Sequence, residues 1–181
     1  MLKLLLDQQV SKLEQRFDYD AAYMHQMLEV SPGAFLKFSI LTGLVDRNAA
    51  SPEAIAAARI AATLLEDCGP CIQISVDMAA AEGVDPEILK AIVLGNEEAM
   101  GDDAALGWRF ARACLARDME LADPLRAQIE AKWGDRGVLA MSLAITTARM
   151  YPTVKYAMGF GKACSRVTVA GEALAPPKRT A

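Results

Sequence analysis

Ala58-Arg59-Ile60-Ala61-Ala62-Thr63-Leu64-Leu65-Glu66-Asp67-Cys68-Gly69-Pro70-Cys71 is an alanine-rich stretch of helical composition that runs into a Cys-x-x-Cys pair. The same tetrapeptide in a sheet fold would need a strand before it and a βαβ context around it. What precedes it here, Ala58 to Leu65, reads as helix, and no run of β-branched residues alternates with helices elsewhere. The chain is therefore expected to be all-α. Gly69-Pro70 favours the turn that brings the two thiols together, and it stops one helix near Asp67. A second helix is expected to start at Pro70, where proline is tolerated as the first helical residue. Both sulfurs then lie near a helix N-terminus, whose unpaired N–H groups can draw a cysteine from about 8.5 toward about 7. Glu66 and Asp67 oppose this, since neighbouring carboxylates disfavour another negative charge.

Helix signals extend outward from this stretch in both directions. Leu2, Leu5, Leu6, Val10, Leu13 and Phe17 keep helical spacing. Ser31-Pro32, Ser51-Pro52-Glu53, Asp85-Pro86-Glu87 and Asp123-Pro124 each set a capping side chain before proline, a helix-start signature. The expected helices cover 2–17, 19–29, 33–44, 52–66, 70–82, 86–94, 102–118, 123–133, 135–150 and 153–163. Gly83, Gly95 and Gly134 fit helix ends. Val167-Thr168-Val169 is the one strand-like fragment, and a disordered tail is expected over 171–181. One domain of eight to ten helices, spanning 1–170, is the expectation.

Composition narrows the function classes. Hydrophobic residues make up 53% of the 181 but aromatics only 6%, so Ala, Leu, Ile, Val and nine Met must build the core. That mixture suits closely packed helices, and the apolar surplus suggests buried contacts between subunits. Nineteen basic residues against 23 acidic ones, with no basic block, leave nucleic-acid binding without support. Met1 to Leu6 is too short for a signal peptide. The longest apolar stretch, Val138 to Ala148, falls short of the roughly 20 residues that span a bilayer. The chain reads as non-membrane and cytoplasmic. Four cysteines in that setting suggest catalysis or metal binding rather than a disulfide scaffold.

The segment from Ala56 to Val93, with the string ARIAATLLEDCGPCIQISVDMAAAEGVDPEILKAIV, resembles the core of the carboxymuconolactone decarboxylase and AhpD-like superfamily. Arg149-Met150-Tyr151-Pro152-Thr153-Val154-Lys155-Tyr156 is also similar to some relatives. The resemblance implies an all-α fold and a homo-oligomer, commonly a trimer or hexamer. It also implies alkylhydroperoxidase or disulfide reductase activity, with a peroxide or disulfide as substrate and an external dithiol as reductant. No cofactor is implied. The family's peroxidase pattern carries a Glu and a His that relay the thiol's proton. Ala56 stands at the Glu position and Ser75 at the His position, so the redox pair is present without the recognisable relay.

Each candidate has a plainer reading. Cys68 and Cys71 are a redox pair, part of a metal site, or buried packing residues; a structural zinc needs about four ligands, and only His25, Cys114 and Cys164 remain, scattered. Cys114 and Cys164 read as core residues. Ser75 follows Cys71 by one helical turn and can bond the thiolate or, equally, a backbone carbonyl. Glu66 is a candidate substitute base, or part of a solvated helix end. Asp77 is a weak candidate, off the helical face of Cys68. His25 reads as packing or surface unless the fold brings it to the thiols. The catalytic set expected is Cys68, Cys71, Glu66 and Ser75. The alternative is a helical oligomeric binding or scaffold protein that keeps the fold without peroxidase turnover.

Overall fold

The computed structural model describes residues 2–161 and 167–177. Helix accounts for 75% of the structure, against roughly a third in an ordinary globular protein, and the fold is an all-α multi-helix bundle. Among the described residues eight α-helices follow in chain order: α1 (Leu2–Phe17), α2 (Ala22–Val30), α3 (Pro32–Thr42), α4 (Pro52–Leu64), α5 (Gly69–Ala81), α6 (Pro86–Leu94), α7 (Gly101–Ala116) and α8 (Met119–Ala157). A single 3₁₀ turn, Glu97–Ala99, joins α6 to α7. Two short strands, β1 (Val167–Val169) and β2 (Glu172–Leu174), close the described chain.

The expected caps form at three of the four sites. Ser31 Oγ accepts from the Ala34 N–H, Ser51 Oγ from Ala54, and Asp85 Oδ1 from Glu87. The fourth start lies earlier than Asp123-Pro124. Asp118 accepts from the Leu121 N–H at 3.1 Å and opens α8 at Met119, which leaves Pro124 inside the helix. The expected breaks along α8 also shift. Gly134 does interrupt it, at φ 69° and ψ −175°, a conformation that favours glycine. Pro152 does not; it sits buried within a helix that continues to Ala157.

Helix α4 is the central pillar. Ala54, Ala56, Ala57, Ala58, Ile60 and Ala62 are all wholly buried, so small side chains face neighbours on every side. Helices α7 and α8 make its most extensive contacts. Gly107 makes the α7 contact possible, because a Cβ there would lie 2.2 Å from the Ala54 carbonyl oxygen. A second apolar cluster, around Leu6, Val10, Tyr19, Tyr23, Leu28 and Phe35, ties α1, α2 and α3 together.

The tail expected to be disordered begins instead as a hairpin. Val167 pairs with Leu174 and Val169 with Glu172, across a two-residue turn in which Ala170 and Gly171 both take positive φ. Such a turn matches the twist of the flanking strands. Gln73 fixes the hairpin on α5, donating from Nε2 to the Thr168 carbonyl and accepting the Thr168 N–H at 2.8 Å. Residues 178–181 and Cys164 lie outside the described residues.

Candidate active site

The two thiols meet at the start of α5. After α4 ends at Leu64, Asp67 takes φ 48° and turns the chain back. Cys68 becomes the extended N-cap residue of α5, one step earlier than the Pro70 start expected, and its carbonyl accepts the Ile72 N–H at 3.0 Å. Gly69 and Pro70 form the first helical positions, where missing or unpaired N–H groups cost nothing. Cys68 and Cys71 are both buried, at 0% and 3% exposure, and both are free thiols.

One proton serves both sulfurs. The Cys71 thiol donates to Cys68, which is the largest influence drawing Cys68 down to about 7, against the opposing effect of burial. The Cys71 backbone N–H adds a pull, short of a formed capping bond, and Lys155 adds another. Asp67 pushes weakly the other way, as its charge requires. Cys71 is driven well above the ordinary thiol range, first by holding the shared proton and then by burial. Cys68 therefore carries the anion and Cys71 the proton.

Lys155 is the residue that sequence reasoning missed. It is 2% exposed on α8, three residues past buried Pro152. Its ammonium donates to the Tyr19 hydroxyl and to the Asp20 carbonyl, each at 3.4 Å. It also lies over the rings of Tyr19 and Tyr23, 4.8 and 5.1 Å from their centroids. None of the ion pairs among the described residues gives it a carboxylate. A buried ammonium without a carboxylate is costly, and the thiolate supplies an opposite charge. The Tyr19 hydroxyl stands 3.9 Å from Cys71 Sγ and 3.4 Å from the Tyr23 hydroxyl, linking lysine to thiol. Burial raises both tyrosines far above the ordinary phenol range, so they stay protonated. The signal for Lys155 lay in the 149–156 stretch, but a helix expected to restart at 153 gave no reason to turn that lysine inward.

The other sequence candidates are engaged elsewhere. The Ser75 hydroxyl donates to the Cys71 carbonyl at 2.8 Å and meets Thr63 Oγ1 at 3.4 Å; it does not reach the sulfurs. Glu66 pairs with Arg149. Asp77 accepts from Gln73 at 2.8 Å, beside the hairpin clamp. His25 on α2 reaches across to α1, with Nδ1 2.7 Å from Asp7 and Nε2 3.0 Å from Glu14, so both ring nitrogens are engaged by carboxylates. Cys114 packs partly buried against the main core. Ala56 is wholly buried on α4, where a carboxylate would have no water.

A cavity of about 180 Å³ opens beside Cys71, between the α1–α2 cluster and helices α4, α5 and α8. Cys71 lines it and Cys68 does not. Comparison with protein-family models, with curated proteins and with solved structures finds no match. Among the described residues no three His, Cys, Asp or Glu side chains converge as metal ligands would.

Proposed function

We propose that this chain is a thiol-dependent oxidoreductase of the AhpD-like kind, working through Cys68 and Cys71 on a peroxide or disulfide. The observation that carries this reading is a pair of buried free thiols at the start of α5, the second of them at the wall of a cavity and linked through Tyr19 to a buried lysine. In this reading Cys71 meets the substrate, because it lines the cavity. Passing its proton to Cys68 makes Cys71 the thiolate. With a peroxide, the Cys71 sulfur attacks the near oxygen and the O–O bond breaks. The departing alkoxide takes a proton from Tyr19, which recovers one from Lys155. The Cys68 thiol then condenses with the Cys71 sulfenic acid, a disulfide forms and water leaves. Two electrons have passed to the peroxide, and the buried ammonium has lost its proton as the thiolate disappeared.

With a disulfide substrate, Cys71 thiolate opens the S–S bond to a mixed disulfide and one thiolate departs. That thiolate takes a proton from Lys155 by way of Tyr19, and the neutral amine left behind accepts the Cys68 proton as Cys68 displaces the second thiolate. An external dithiol restores the pair in either case, and no cofactor is required. A second reading, a binding or scaffold protein of the same fold, is favoured by the engagement of Ser75 and Glu66 away from the sulfurs. Turnover separates the two. Cys68→Ser and Cys71→Ser should each abolish reduction of a disulfide reporter, with Cys114→Ser unaffected. Equal rates in all three variants would leave the binding reading.

The same proposal includes a homo-oligomer, a trimer or hexamer, in the cytoplasm. Among the described residues no helix is long and apolar enough to cross a membrane. The support for assembly is the surface: Ile40, Leu41 and Leu44 at the end of α3, and Leu2, Leu4 and Leu5 on α1, are exposed. A helix apolar all round is ordinarily covered on more than one side.

A further inference from the structure

The cavity beside Cys71 is not chemically uniform. Leu13, Met24, Ile55, Ile74 and Met78 make it apolar, yet two arginines, Arg47 and Arg59, also line it, and among the described residues no acidic one does. Both arginines lean on a single carboxylate. Arg47 Nη1 lies 3.0 Å from Glu82 Oε1, and Arg59 Nη2 lies 3.2 Å from Glu82 Oε2. Two cations against one anion leave one positive charge uncompensated. Arg59 Nη2 also approaches the Ser75 carbonyl at 3.4 Å, while Arg59 Nε is buried with no hydrogen-bond partner among the described residues. Arg59 lines the cavity, so a carboxylate held there would take charge-assisted hydrogen bonds from a guanidinium whose carboxylate partner is shared with Arg47.

From this we propose that the cavity binds an amphipathic monoanion, with an apolar body in the chamber and a carboxylate at Arg59 and Arg47. A comparable apolar cavity of about 150 Å³ holds benzene, so a body of roughly six or seven non-hydrogen atoms fits. Arg59 touches the Ser75 carbonyl, one turn from Cys71, or about 6 Å along the helix axis. The anionic head therefore brings the neighbouring atoms of the molecule within reach of the Cys71 sulfur. That this molecule is also the redox substrate rests on the oxidoreductase reading; that it binds does not.

The test is calorimetric titration of the full-length protein with hexanoate, 1-hexanol and hexylammonium. Hexanoate should bind about tenfold tighter than hexanol, as one charge-assisted hydrogen bond requires, and hexylammonium should bind most weakly. Arg59→Gln should remove about tenfold of the hexanoate affinity and leave hexanol unchanged. Arg47 is largely exposed, so Arg47→Gln should fold normally and lose several-fold. Binding should persist in the Cys68→Ser/Cys71→Ser protein, so a failed redox reading would leave this result standing. Equal affinity for the three probes, no binding of hexanoate, or indifference of hexanoate to both arginine changes would overturn the proposal.

Discussion

At the scale of single residues, the site is an exchange of charges between a thiol pair and one lysine. Because the Cys71 thiol is the largest influence on Cys68, Cys71→Ala should raise the midpoint of thiolate ultraviolet absorbance furthest from about 7. Lys155→Met should raise it too, but less, since lysine acts through space and is a smaller influence. A midpoint unmoved by either change would remove the charge exchange. The same shift makes stability depend on pH. Cys68 falls from 9.0 to about 7 on folding, so its stabilisation is full above about 9 and is lost as pH drops through about 7. Two units amount to about 3 kcal/mol at most. Cys71 and the two tyrosines have raised values, so they oppose folding as pH climbs past 9 or 10. Denaturant midpoints should therefore rise between pH 7 and 9 and fall beyond about 10. In Cys68→Ala the first rise should disappear.

At the scale of elements, the central contact is α4 against α7. Gly107→Ala would press a methyl group onto the Ala54 backbone, so we expect a loss of about 1–3 kcal/mol, read as a lower denaturant midpoint at unchanged slope. Unchanged stability would mean that the two helices part freely. Much of this architecture was legible in the sequence. Ser51-Pro52 and Asp85-Pro86 mark helix starts because cap and ring act locally, and the structure starts α4 and α6 at those prolines. Elements decided by distant packing were not legible. Pro152 looks like a break, but burial holds it inside α8, and that continuity aims Lys155 inward. Val167-Thr168-Val169 was read as strand-like and forms β1, but its partner strand and its clamp from Gln73, more than ninety residues away, had no local signal. Cys68 and Cys71 were readable from spacing alone, whereas spacing put Ser75 on the right helix but left sulfur and carbonyl as equal partners, and it bonds the carbonyl.

At the scale of the whole molecule, the thiol pair lies where two apolar clusters meet, which leaves room for the cavity. The exposed apolar ends of α1 and α3 remain to be covered, and subunit contact is the covering we propose. Ile40→Lys with Leu44→Lys should reduce the mass found by light scattering to that of one chain, without unfolding it. An oligomer that persists would place the interface elsewhere. In the reading we propose, Cys68 and Cys71 cycle between dithiol and disulfide. Counting free thiols per chain before and after oxidised dithiothreitol tests it most directly, with peptide mass mapping to locate the change. Two thiols should be lost, found as a Cys68–Cys71 disulfide and restored by reduced dithiothreitol. No loss, or a loss mapped to Cys114, would contradict it.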